Sequence, residues 1–167
     1  TIVSDNKLVN GDTIANVEYS ADVDETTEVG EYDIEITSVS ISSNYTTTFE
    51  KGKYNVTPKA IDNSKVTIAE PTGKLTYDTN AHEVTVTVDS SIADYKVMYS
   101  VKGEDGNFTD MGENVLPVDA GTYKATVTIT GKGNYTGTAT KTSSEYTIEK
   151  AIPSFTLPTG LKAVFGD

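Results

Sequence analysis

From Tyr123 onward the chain alternates strictly, with Tyr123, Ala125, Val127 and Ile129 on one side and Lys124, Thr126, Thr128 and Thr130 on the other. A period of two marks a strand with one buried and one wet face. The same pattern starts earlier at Tyr32, where Ile34 and Ile36 alternate with Asp33 and Glu35. Its phase breaks at Ser38, before Val39 and Ile41, which predicts a bulge or bend there. Shorter strand candidates are Val17 to Tyr19, Thr46 to Phe49, Lys53 to Thr57, Val66 to Ala69 and Lys74 to Tyr77. Beyond them lie Val84, Val86 and Val88 with Thr between, then Tyr95, Val97, Tyr99 and Val101 on one face, Phe108 to Met111, and Val115-Leu116. Asn10-Gly11, Gly52 and Asp105-Gly106 supply turn chemistry between the runs. No helical periodicity appears. The pattern predicts an all-β protein built of antiparallel sandwiches.

The chain says much of this twice. Gly30 and Gly121, Tyr32 and Tyr123, and Lys59 and Lys150 are each 91 positions apart, and Asn44-Tyr45 precedes Asn134-Tyr135 by 90. A spacing held through a whole module is a tandem repeat. The expected organisation is a β-module over 1–60 that is truncated at its N-terminus, and a sandwich repeat over 61–151. The first strand of a third repeat is expected over 152–167, because Lys150-Ala151-Ile152 repeats Lys59-Ala60-Ile61. Residues 1–27 hold too few strand signals for a full sandwich, so the first module is expected to be either incomplete or β-grasp-like. An exposed sheet edge would follow, which the strand Phe155 to Phe165 of a neighbouring molecule would fill. Asp119-x-Gly121-x-Tyr123-x-Ala125 also has the form of the sixth strand of an immunoglobulin sandwich, with Ala125 where antibody domains place a cysteine. Glu28-x-Gly30-x-Tyr32-x-Ile34 has the same form. In that fold the tyrosine sits at a corner, and its hydroxyl bonds to backbone a few residues upstream. Both rings are expected to be largely buried.

Charge narrows the function. A formal net charge of −12 disfavours nucleic acid and anionic membrane, whose own charge repels the protein. The absence of cysteine excludes disulfides, thiol chemistry and zinc-thiolate sites. No run approaches the roughly 18 apolar residues of a spanning helix, so no membrane insertion is expected. No signal peptide precedes Thr1, which leaves room for a removed leader or upstream domains.

Tyr77-Asp78-Thr79-Asn80-Ala81-His82 resembles the Tyr-Asp-Gly-x-Ala-His signature of repeat domains in bacterial surface proteins. Asp119 to Tyr123, Gly133-Asn134-Tyr135 and Tyr146 to Ala151 resemble the closing half of the same repeats. Residues 8 to 60 look like the end of the related MBG-type repeat. The resemblance implies tandem immunoglobulin-like MBG/YDG-type modules of the kind found in Gram-positive cell-surface proteins. It also implies an extracellular location and a role as stalk or adhesion module without catalysis. One departure is Thr79, which replaces the usual Gly and leaves Asp78 and Asn80 to make that turn.

Catalytic and metal chemistry find little support. His82 is the only histidine, and neither a nucleophile elbow nor a His-Glu-x-x-His motif accompanies it, so it is read as part of the turn. Asp22, Asp24 and Glu25 would need carboxylates from another loop to hold calcium. Asp33 and Glu35 share a strand face with nothing apolar to raise either pKa, and are read as solvated. Leu157-Pro158-Thr159-Gly160 lacks one residue of the wall-sorting signal and is read as a turn. The residues expected to matter are therefore structural: Gly30, Tyr32, Tyr77, Asp78, His82, Asp119, Gly121 and Tyr123. No cofactor is expected, and the partners are neighbouring repeats of the same polypeptide. The main functional alternative is a module that binds glycan or host protein; a hydrolase fragment is a third reading.

Overall fold

The computed structural model describes residues 8–9, 11–157 and 159–160. Thirteen strands and one short 3-10 turn (Asn63–Lys65) make up its regular structure. The first three strands, β1 (Ala15–Ala21), β2 (Gly30–Ser40) and β3 (Gly52–Val56), form an antiparallel sheet in chain order. β2 runs through the predicted break at Ser38. The irregularity lies in its partner, where β1 slips register between Ala15 and Tyr19 and Asn16 adopts φ 48. A bulge opposite a continuous strand gives the same change of facing as one within it.

This first sheet is a single layer. Among residues 8–60 no described residue is fully buried, and Tyr32, Ile34 and Ile36 are only half-covered. No helix packs on it among the described residues, which is the incomplete form and not the grasp-like one. The segment Thr46 to Phe49 is irregular, with Phe49 half-exposed, because no second layer is present for its apolar side chains to enter. Charge instead orders the wet face. Lys53 stands opposite Asp33 in the register and reaches it at 2.9 Å, and Lys51 reaches Glu35 at 2.6 Å. Exposed pairs of this kind contribute little each, about 0–1 kcal/mol.

From residue 59 the architecture changes. The strands are β4 (Lys59–Ala60), β5 (Val66–Ala69), β6 (Leu75–Thr76), β7 (Thr85–Val88), β8 (Ala93–Lys102), β9 (Phe108–Asp110), β10 (Gly121–Gly131), β11 (Tyr135–Thr136), β12 (Thr138–Thr142) and β13 (Tyr146–Glu149). One layer runs β6-β13-β10-β8-β9, with β12 extending the β13 edge along β10. β5 and β7 pair antiparallel and form the opposing layer. Val66, Ile68, Val86 and Val88 from this pair pack against Val97, Val127 and Ile129 of the larger sheet. The pairing is antiparallel except for β6 with β13 and β4 with β11. A β-sandwich is the result, as the alternation predicts.

β10 is the centre of this sandwich. Strands flank it on both sides, and Tyr123, Ala125, Val127 and Ile129 are all at most 2 % exposed. Its outward residues are the predicted Lys and Thr, with Thr122 and Thr126 facing Thr147 and Thr142 across the sheet at 3.0 and 3.4 Å. Beside Ala125 the neighbouring strand breaks between β12 and β13. There Ser143 gives its N–H to Ala125 O at 2.8 Å and accepts Ala125 N–H on its hydroxyl at 2.9 Å, so a side chain replaces the missing ladder bond. Val115 and Leu116 form no strand and lie half-exposed. Ile152, Phe155 and Leu157 follow β13 as exposed, irregular chain. Thr159 and Gly160 are likewise exposed and irregular, and residues 158 and 161–167, including Phe165, lie outside the described residues.

Ile129→Ala removes a side chain with no exposed surface and should cost about 2–5 kcal/mol, whereas Ile34→Ala in the open sheet should cost less than about 2 kcal/mol. Urea denaturation followed by circular dichroism checks this; equal losses would contradict the difference between the two layers.

Candidate functional site

Three features bring polar and aromatic groups together: two tyrosine corners, the loop that carries His82, and a groove beside β8. Tyr123 donates its hydroxyl to Asp119 O at 2.8 Å, and Tyr32 donates to Glu28 O at 2.8 Å. Both bonds span four residues, because each ring folds back over the glycine two positions earlier. A Cβ on Gly121 would stand 3.2 Å from the Tyr123 hydroxyl, and one on Gly30 would stand 3.4 Å from the Tyr32 ring. The glycine is therefore a platform for the ring. The environments differ, since Tyr123 is buried under the second layer and Tyr32 is only half-covered. The expectation of two largely buried rings holds for Tyr123 alone, because the first sheet has no layer above Tyr32.

Tyr77, Asp78 and His82 belong to the loop between β6 and β7. Tyr77 gives its N–H to Glu149 O at 2.8 Å, prolonging the β6–β13 pairing. Asp78 accepts Asn80 N–H at 2.9 Å, and this bond is the main cause holding its carboxyl below the usual range. Thr79 itself takes the left-handed conformation, at φ 72. The turn thus keeps the geometry of the glycine it lacks, at a cost of about 1–2 kcal/mol for a residue bearing a Cβ. His82 ties the loop down: its N–H bonds Pro117 O at 2.9 Å, and its carbonyl accepts the Tyr146 hydroxyl at 3.0 Å. Its Nε2 is buried 3.2 Å from Asp78 Oδ1, close enough for an ion pair but poorly aligned for a hydrogen bond. No hydroxyl bonds the ring, whose buried Nε2 has no hydrogen-bond partner.

Above this loop, Tyr99, Tyr123 and Tyr146 share one core cluster. The Tyr123 and Tyr146 rings lie 6.0 Å apart and tilted, a favourable aromatic separation. Tyr99 accepts Val84 N–H on its hydroxyl at 3.1 Å. Burial pushes all three phenols above their ordinary pKa, most strongly for Tyr146.

The acidic candidates are engaged locally. Asp24 accepts Thr26 N–H at 2.8 Å and the Thr26 hydroxyl at 2.7 Å, and these bonds lower its pKa. Asp33 is lowered by its bonds to Lys53 and then Lys51. Among the described residues no group of three or more His, Asp or Glu is placed to hold a metal ion. What sequence reasoning missed is an open groove of about 500 Å³ between β8 and the loop before β10, lined by Tyr95, Met98, Glu113, Val115, Leu116 and Thr126 among others. The signal was available in the Val115-Leu116 pair, which reads equally well as a buried strand. No helix among the described residues is long and apolar enough to cross a membrane.

Residues 2–55 match the family described as MBG domain (YGX type). The match covers the first sheet up to Asn55, one residue short of the end of β3, and stops before the sandwich, whose YDG-type resemblance rests on its own residues. No match was found among curated proteins or solved structures.

Tyr123→Phe should cost about 1 kcal/mol, the net value of one hydrogen bond, and Tyr123→Ala about 3–5 kcal/mol through cavity formation. An unchanged denaturation midpoint for Tyr123→Phe would remove the corner's contribution. Alkali supplies an independent check. The three core phenols have folded pKa values above the unfolded value of about 10, so the stability they lend is complete below that pH. It is lost as pH rises through their raised values. Thermal melts should fall steeply above about pH 10, and less steeply for Tyr146→Phe; parallel curves for the two proteins would contradict the assignment.

Proposed function

We propose that the chain is a non-enzymatic, extracellular segment of a bacterial cell-surface protein, in which tandem β-modules extend and display an adhesive region. The observation that carries this reading is the duplicated corner, with the same four-residue hydroxyl bond at Tyr32 and at Tyr123. It recurs at the spacing of the sequence repeat and belongs to scaffold, not to chemistry. The family match over residues 2–55 supports a repeat module. His82 supports it too, because its backbone bonds brace a loop while its buried ring Nε2 has no hydroxyl bonded to it.

The groove beside Tyr95 favours a second reading, in which the sandwich itself binds a glycan or a host protein. Tyr95 is 48 % exposed there beside half-exposed Val115 and Leu116, an aromatic and apolar wall with carboxylates at its rim. A glycan-array screen of the intact chain separates the two. The extension role predicts no retained glycan; one that is retained, and then lost on Tyr95→Ala, would contradict it and establish the second.

A further inference from the structure

Asn134 joins the two modules. Its carbonyl accepts Lys59 N–H at 2.9 Å, which starts the parallel pairing of β4 with β11, and Ile61 N–H continues that pairing to Thr136 O at 2.9 Å. Its side chain reaches back to the corner loop of the first module. There Oδ1 accepts Val29 N–H at 2.7 Å, and Nδ2 lies 3.4 Å from Thr27 O as donor. A primary amide is the side chain of this length that can accept from one and donate to the other; a carboxylate has no proton for Thr27. One turn residue thus seizes both the exit strand and the corner loop of the module before it.

Every part of this joint occurs a second time. The turn around Asn44 is closed by the same bond as the turn around Asn134, Tyr45 N–H to Ser42 O at 3.1 Å and Tyr135 N–H to Lys132 O at 3.1 Å, although Gly133 takes φ 61 where Ser43 keeps a negative φ. Asp119-Ala120-Gly121 repeats the corner loop Glu28-Val29-Gly30, and Lys150-Ala151-Ile152 repeats the exit strand Lys59-Ala60-Ile61. The difference lies in what covers them. After the first module, Ile61 is 6 % exposed within the core of the sandwich that follows. After the second, Ile152 is 95 % exposed, and an open recess of about 470 Å³ lies between Tyr77, Asp119, Ala120 and Lys150–Pro153.

We propose that this recess is a docking site for the Asn-Tyr turn of a further module of the same repeat. The asparagine of that module accepts Ala120 N–H and donates to Val118 O. Its strand pairs with Lys150–Ala151, and Ile152 enters its core as Ile61 enters the core here. The inference rests on the tandem reading and adds how successive modules are locked in orientation.

The intact chain and an extended one test it. By ¹⁵N relaxation the two modules of the intact chain should tumble as one body, and Asn134→Ala should let them tumble independently. In the extended chain, residues 61–151 are appended again after residue 151. The Ala120 amide should then exchange about tenfold more slowly, the equivalent of one hydrogen bond. Replacing the asparagine by alanine in the appended copy alone should reverse that slowing while the copy keeps its dispersed amide signals. A folded copy that tumbles rigidly with the rest but leaves Ala120 exchange unchanged would overturn the docking site and spare the extension role. A folded copy that tumbles freely would overturn both.

Discussion

The inner face of β10 is the constraint on which the rest of the sandwich depends. Tyr123, Ala125, Val127 and Ile129 are enclosed by strands on both sides and by the β5–β7 layer above. Full burial of four consecutive inward positions contributes about 1.5–3 kcal/mol for each large side chain, far more than any surface pair in the molecule. It also fixes register, since a slip of one residue would turn Lys124 and the threonines inward. Burial gives the corner at Tyr123 its energetic weight. A phenol carried inside must find a partner for its hydroxyl, and Tyr123 finds it in Asp119 O. Gly121 is the residue that leaves room for the ring to lie back that far.

The first sheet shows what the same local code yields without a second layer. It keeps the corner bond and the alternation, yet none of its described residues is fully buried. Three strands in one layer stand at the lower limit of independent stability. Its cross-strand Lys, Asp and Glu ladder adds register more than energy. Its attachments to the sandwich, through β4 and through Asn134, therefore matter more to it than the individual bonds would in a closed domain.

Local features were legible in sequence where local rules act alone. The alternation from Tyr123 to Ile129 marks the burial of β10, and the Asp-x-Gly-x-Tyr spacing marks the corner. Asp105-Gly106 marks its turn, with Gly106 at φ 81 and Asp105 accepting Asn107 N–H. Features set by a distant partner were not. Thr46 to Phe49 and Val115-Leu116 have strand composition, but composition says nothing about whether a layer exists to cover them. The phase break at Ser38 was visible, while the slip that answers it lies in β1, because pairing distributes an irregularity over two strands. Asp78 and Asn80 bond across their turn as expected, and Thr79 between them also takes the left-handed conformation, which its neighbours did not announce. The repetition of Asn-Tyr was plain, yet nothing local told that Asn134 would meet Val29, 105 residues away.

The central claim is that β10 anchors the most stable unit and that the open sheet leans on it. Native-state hydrogen exchange across a urea series tests this most directly, with the amides of Ala125, Val127 and Ile129 read against those of Ile34 and Ile36. The account predicts that the β10 amides exchange only through global unfolding, with the full denaturant dependence, while the β2 amides exchange through a smaller opening of weaker dependence. Equal protection and equal denaturant dependence in the two strands would contradict it.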